Sequence, residues 1–212
     1  MQLYSYFRSS ASFRVRIALG LKGLAYDYMP VHLAQNEQFA PGYCGLAPNQ
    51  LVPLLRDGDH SIGQSLAIIE YLDETHPQPR LLPEDPLGRA RVRALALDVA
   101  CEIHPLNNLR VLRYLGAELG VGQEARDAWY RHWVEGGLAA IEAQLVGHPS
   151  TGRFCHGDTP SLAECTLVPQ IFNARRVDSR LDHVPTVMRI FDACMTLPAF
   201  IDSQPSHCPD AA

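Results

Sequence analysis

Polar and apolar positions alternate in short blocks over the first eighty residues, then change to a helical rhythm that lasts almost to the end of the chain. Gln2 to Tyr6 alternates and predicts a short strand. From Ser10 or Ser12 the apolar spacing is helical through Lys22, and Gly23 supplies a stop. Tyr26 to Leu33 reads as a second strand, while Pro41, Gly42, Gly45 and Pro48 break any long element between 34 and 48. Val52 to Arg56 is a third strand, Asp57-Gly58-Asp59 a hairpin turn, and His60 to Ile62 its partner. Pro53, at the start of its strand, is placed where a cis bond is tolerated. Gln64-Ser65 then opens an amphipathic helix with Leu66, Ile68, Ile69 and Leu72 on its apolar side.

Residues 76–85, HPQPRLLPED, interrupt this pattern as a proline-rich linker. Asp85-Pro86 caps a helix that runs from Leu87 past Ala100, is disturbed at His104-Pro105 and resumes through Tyr114. A further amphipathic helix spans Trp129 to Val146. Ser161-Leu162-Ala163-Glu164 has the form of a capping box opening a helix through Ala174. The segment after Pro198 reads as a short tail. The pattern therefore predicts a small α/β domain, a linker and an all-helical domain.

Composition narrows the function classes. Of 212 residues, 47% are apolar and 19% charged, and the formal charge of −5 argues against a nucleic-acid binder. No run approaches the ~20 apolar residues of a membrane-spanning helix, so no membrane partner is expected. The opening MQLYSYF has no basic stretch before an apolar one, so it does not read as a secretory signal. Cys44, Cys101, Cys155, Cys165, Cys194 and Cys208 form no C-x-x-C pair and no zinc-like spacing with histidine. They read as reduced thiols of a cytoplasmic protein, and no metal site is predicted.

One stretch carries candidate chemistry. FRSSASFRVRIAL, residues 7–19, places three serines at the start of a helix, beside Arg8. By itself this is either a plain N-cap or a site for a negatively charged group. The element order, with Val52-Pro53 before the third strand and Gln64-Ser65 before the following helix, resembles the glutathione transferase fold. RSSASFRVRIAL further resembles the signature of its zeta class, and three other stretches agree with that class: GQSLAIIEYLDETHPQPRLLPEDP at 63–86, HPLNNLRVLRYL at 104–115 and GDTPSLAECTLVPQIFNARR at 157–176. The resemblance spans essentially the whole chain. It implies a thioredoxin-like α/β domain over 1–78, a linker at 79–86 and an all-α substrate-binding domain over 87–212. It also implies a homodimer that uses glutathione to isomerise maleylacetoacetate or maleylpyruvate from cis to trans in aromatic catabolism. The class's cysteine after the two serines is Ala11 here, so no thiol of the chain serves at that position.

Isomerising a conjugated cis alkene through thiolate addition, rotation and elimination needs a thiolate at neutral pH, cationic anchors for a dianionic diketo acid and a donor for the enolate oxygen. For the thiolate, the resemblance points first to Ser9 and second to Ser10, at a helix N-terminus; Ser12 reads as helix surface. For glutathione it implies Val52-Pro53 beside the cysteinyl unit and Gln64 and Ser65 at the γ-glutamyl carboxylate. Gln50, Asn49 and Gln38 join them, with His104, Asn108 and Glu102 from the helical part. For the substrate it implies Arg8, Arg110 and Arg176, whose planar forks match carboxylates. Arg14 and Arg16 read as surface or structural ion-pair residues, and Ser161, Glu164 and Asp158 as folding residues. Two alternatives remain at this level: a zeta-class transferase acting on small α-halo acids, and a non-enzymatic binding protein on the same scaffold.

Overall fold

The computed structural model describes residues 1–211, which divide into two compact units: Met1–Leu81 with 195–211, and Leu82–Cys194. In the first, a four-stranded sheet runs in the order β2-β1-β3-β4. β1 (Gln2–Ser5) pairs in parallel with β2 (Asp27–Pro30) and antiparallel with β3 (Leu54–Asp57), which turns at Gly58 (φ 56°) into β4 (His60–Gly63). The parallel pair requires a crossover, supplied by α1 (Ser10–Lys22). Gly23, in the left-handed region at φ 63°, ends α1 by donating to the Gly20 and Leu19 carbonyls. α1 packs on α3 (Ser65–Thr75) and on the short α9 (Pro198–Ile201). Leu3 and Leu55, opposite one another in the sheet, are buried with Phe13, Ile17, Ile68 and Leu72.

The second strand is shorter than the pattern predicts. Pro30 has no N–H for the ladder, and after Val31 donates to Ser5 the chain leaves the sheet for a 3₁₀ turn capped by His32. The region from 34 to 48 also holds more structure than its prolines suggest. Pro41 is the first residue of a helix, α2 (Pro41–Leu46), a position that suits proline's fixed φ and missing N–H.

The structure overturns the surface readings made on α1. Ser12 is not helix surface; it is fully buried. Arg14 and Arg16 are likewise buried at 2% exposure each, and each guanidinium meets hydroxyl or carbonyl oxygens of distant segments. α1 has packed neighbours around most of its circumference, so its polar side chains lie inside.

In the second unit, Asp85 caps α4 (Pro86–Leu97) by accepting the Gly88 N–H at 2.6 Å. The expected disturbance near His104-Pro105 begins earlier, as a π-helical turn over Asp98–Ile103, and α5 (Leu109–Ala117) follows. α6 (Gln123–Leu145) starts before the predicted Trp129, and α8 (Pro185–Cys194) was not legible in the pattern. α7 (Leu162–Arg176) is the central helix, and the capping box at its start is present. Glu164 is fully buried and accepts from the Ser161 N–H and hydroxyl (2.7 and 2.8 Å) and from the Cys155 N–H (2.7 Å). Asp158 accepts the Arg153 N–H at 2.9 Å, a local folding contact like the capping box. Among the described residues no helix is long and apolar enough to cross a membrane.

Candidate functional site

Strand register brings the first group of candidates to one end of the sheet. Tyr4 lies opposite Leu54, and Leu54 lies opposite Gly63, so these three form one row across β1, β3 and β4. The chain leaves that row through Phe7-Arg8-Ser9 after β1, enters it through Val52-Pro53 before β3, and leaves it again through Gln64-Ser65 after β4. Segments far apart in sequence thus share one edge.

The first of them is a β-turn, closed by Ser9 N–H donating to the Tyr6 carbonyl at 2.9 Å. Ser9 is also the N-cap of α1, its Oγ accepting the Ser12 N–H at 3.2 Å. A hydroxyl that accepts in a cap retains its own proton for donation. Ser9 is half-buried, whereas Ser10 is buried at 5% exposure, and Arg8 is exposed with its guanidinium 5.2 Å from the Phe7 ring centre. No acidic residue lies in the first turn of α1 to oppose a negative charge there.

The second segment presents backbone. The Val52-Pro53 bond is cis, and among the described residues no group hydrogen-bonds to the Val52 N–H or carbonyl. The third presents a helix start. Gln64, at φ 66°, is a non-glycine residue in the left-handed region and makes no side-chain cap. The first N–H groups of α3 therefore have no intrahelical acceptor, and Ser65 Oγ accepts Arg14 Nη1 at 3.2 Å from behind. Arg14, read from the sequence as a surface or structural ion-pair residue, thus lies behind this helix start. The only signal for it was that α1 offers no continuous polar face: Phe13, Val15, Ile17, Ala18 and Leu19 surround it.

The loop candidates differ among themselves. Gln50 is exposed and held at φ 58°, with Nε2 3.8 Å from the Cys44 sulfur. Asn49 Oδ1 accepts the Leu51 N–H at 3.3 Å in a local turn. Gln38 is buried with its Oε1 unpartnered, an open acceptor.

The helical unit carries the remaining candidates. Asn108 caps α5, its Oδ1 accepting the Arg110 N–H at 3.1 Å and its Nδ2 lying 3.3 Å from His104 Nε2. Its amide is thus engaged at both ends in local structure. Glu102 is exposed on the π-helical turn and Arg110 on the first turn of α5. Arg176, exposed at the end of α7, lies near the Tyr130 phenol; burial pushes that phenol up and the Arg176 charge opposes the rise.

These features fit glutathione. An unpaired peptide before a cis-proline matches a tripeptide backbone, an uncapped helix start matches a carboxylate, and a cap serine with a spare proton matches a thiolate. Residues 1–74 match the glutathione S-transferase N-terminal domain, and residues 123–200 its C-terminal domain. A probable maleylacetoacetate isomerase of Vibrio cholerae is 48% identical over 99% of this chain and 97% of its own. A solved structure described as holo maleyl pyruvate isomerase, a bacterial zeta-class glutathione S-transferase, superposes with TM-score 0.98 at 47% identity, covering all of both chains. The maleylacetoacetate isomerase of Anaeromyxobacter dehalogenans, solved with glutathione in its active site, superposes with TM-score 0.89 at 45% identity, covering 100% of this chain and 97% of that one. With both domains matched and near-half identity over its length, the chain belongs to the glutathione S-transferase family, in its zeta class.

Proposed function

We propose that the protein is a glutathione-dependent cis–trans isomerase of maleylpyruvate or maleylacetoacetate. The observation that carries this reading is the row Tyr4–Leu54–Gly63, which sets the Ser9 turn, the unpaired Val52 peptide and the open start of α3 at one sheet edge. Bound glutathione supplies a thiolate nucleophile that adds to the alkene and departs after the bond has turned. Ser9 donates its remaining hydroxyl proton to the sulfur, so that the thiolate is favoured over the thiol at the positive end of α1. Ser10, buried beside it, backs the turn. Val52 pairs with the cysteinyl unit, and Gln64 with Ser65 holds the γ-glutamyl carboxylate; Gln38, Asn49 and Gln50 complete the contacts from this unit. Glu102, His104 and Asn108 are the glutathione contacts assigned to the helical unit. Arg8, Arg110 and Arg176 hold the substrate's carboxylates and oxygen.

The two maleyl compounds differ by about one methylene, worth only ~1–3 kcal/mol of discrimination. Both therefore belong in one assay, followed by ultraviolet absorbance with catalytic glutathione. Turnover that leaves total glutathione unchanged is expected. Consumption of one glutathione per turnover overturns the isomerase in favour of a transferase. The working form is a cytoplasmic homodimer, and a monomer in sedimentation at assay concentration overturns that part.

A further inference from the structure

The C-terminal segment returns to the N-terminal unit and ends on the turn that carries Arg8 and Ser9. Phe200 of α9 is fully buried, and Gly20 of α1 lets α9 approach so closely that an added Cβ would meet the Ala199 backbone at 3.3 Å. From that anchor the chain reaches Asp210. Its Oδ2 accepts the Phe7 N–H at 3.1 Å, and its Oδ1 accepts the Tyr28 hydroxyl at 2.6 Å. From the other side, buried Arg16 donates through Nη2 to the Phe7 carbonyl (3.3 Å), through Nη1 to Ser5 Oγ (3.1 Å) and through Nε to the Ser203 carbonyl (3.1 Å).

Phe7 is the second residue of the Tyr6–Ser9 turn, whose own hydrogen bond uses only the Tyr6 carbonyl and the Ser9 N–H. The Phe7 N–H and carbonyl have no partner within such a turn. Here one is held by a carboxylate and the other by a guanidinium, both charge-assisted contacts. The two peptide planes flanking Phe7 are therefore both fixed, which sets the direction in which Arg8 leaves the turn and the place where Ser9 caps α1. We infer that Asp210, together with Arg16, is a positioning residue for Arg8 and Ser9, so that the C-terminal segment is a working part of the catalytic turn. This rests on the reading of Ser9 and Arg8 as catalytic. Burial and the bond to Asp210 hold the Tyr28 phenol protonated, and so keep it a donor to that carboxylate.

The test compares Asp210→Ala, Asp210→Asn and Ser9→Ala in the full chain. It measures kcat and KM for the maleyl substrate, the apparent thiol pKa of bound glutathione by thiolate absorbance, and affinity for S-methylglutathione. A misplacement of about 1 Å costs up to ~100-fold in rate, so Asp210→Ala is expected to lower kcat at least tenfold and raise the bound thiol pKa. Affinity for S-methylglutathione should stay within about twofold, since Val52 and Ser65 are untouched. Asp210→Asn keeps an acceptor for Phe7 and offers Tyr28 a donor, so it should recover most of the loss. If Ser9→Ala is impaired and Asp210→Ala is not, the positioning role is wrong while the site stands. Unchanged turnover and thiol pKa in Ser9→Ala instead overturn the site reading itself. Should Asp210→Ala fail to fold, Tyr28→Phe removes only the outer bond, and a rise in thiol pKa with a roughly threefold lower kcat is expected; no change in either overturns the proposal.

Discussion

Replacing Ser65 by alanine separates the ligand contact proposed for it from a folding contact at the same atom. On the ligand side, a hydrogen bond to a charged group contributes ~1.5–3 kcal/mol, or about 12- to 150-fold in Kd. The lower end applies, because the free N–H groups and dipole of α3 remain to hold the carboxylate. A loss of about tenfold in affinity for S-methylglutathione follows. On the folding side, the hydroxyl is the acceptor of Arg14 Nη1 at 3.2 Å, and both residues are buried. Removing a buried acceptor costs about 1–3 kcal/mol. At roughly 2–4 °C per kcal/mol for a chain of this size, the melting temperature should fall by about 2–12 °C. Calorimetric titration checks the first part, with S-methylglutathione and with the same peptide lacking its γ-glutamyl α-carboxylate. The variant should lose about tenfold for the full peptide and less than about twofold for the truncated one. Equal losses for both peptides refute the carboxylate contact, because they mean that Ser65 acts through the fold alone. An unchanged melting temperature refutes the contribution assigned to the Arg14 bond.

Glu164→Ala strips the acceptor from three buried donors and should destabilise the chain by at least about 3 kcal/mol, measured by urea unfolding; a cost under about 1 kcal/mol contradicts that account. Burial raises the thiols of Cys155 and Cys194 and the phenols of Tyr28, Tyr43 and Tyr130. The folded state therefore keeps protons that the unfolded chain releases, so this stability is complete below about pH 8.5 and is lost as pH rises past the unfolded thiols there and the unfolded phenols near 10. A urea midpoint that stays flat from about pH 8 to 11 would sink this prediction. Arg8→Ala should raise KM for the maleyl substrate about tenfold or more while leaving S-methylglutathione affinity within about twofold; a matched loss of both counts against its anchoring role.

The features that can be read along the chain are local ones. The stop at Gly23, the hairpin at Asp57-Gly58, the cap at Asp85 and the capping box of Ser161 and Glu164 depend on groups within a few residues of one another, so their chemistry is readable in order along the chain. The serine stretch at 9–12 was legible as a cap for the same reason. Whether it also holds an anion stayed open in the stretch itself, and the thiolate role proposed for Ser9 came from the family resemblance; that Val52 and Ser65 reach the same sheet edge is set by strand register. α1 shows the limit most clearly. Its arginines read as surface or ion-pair residues because a charged residue is rarely buried without a partner, and each has a partner far along the chain: Ser65 for Arg14, Ser203 for Arg16. Asp210 is the extreme case, touching Phe7 across 203 residues. Desolvating a polar group is tolerated only where a matching group waits inside, and whether one waits there is decided by how the chain packs.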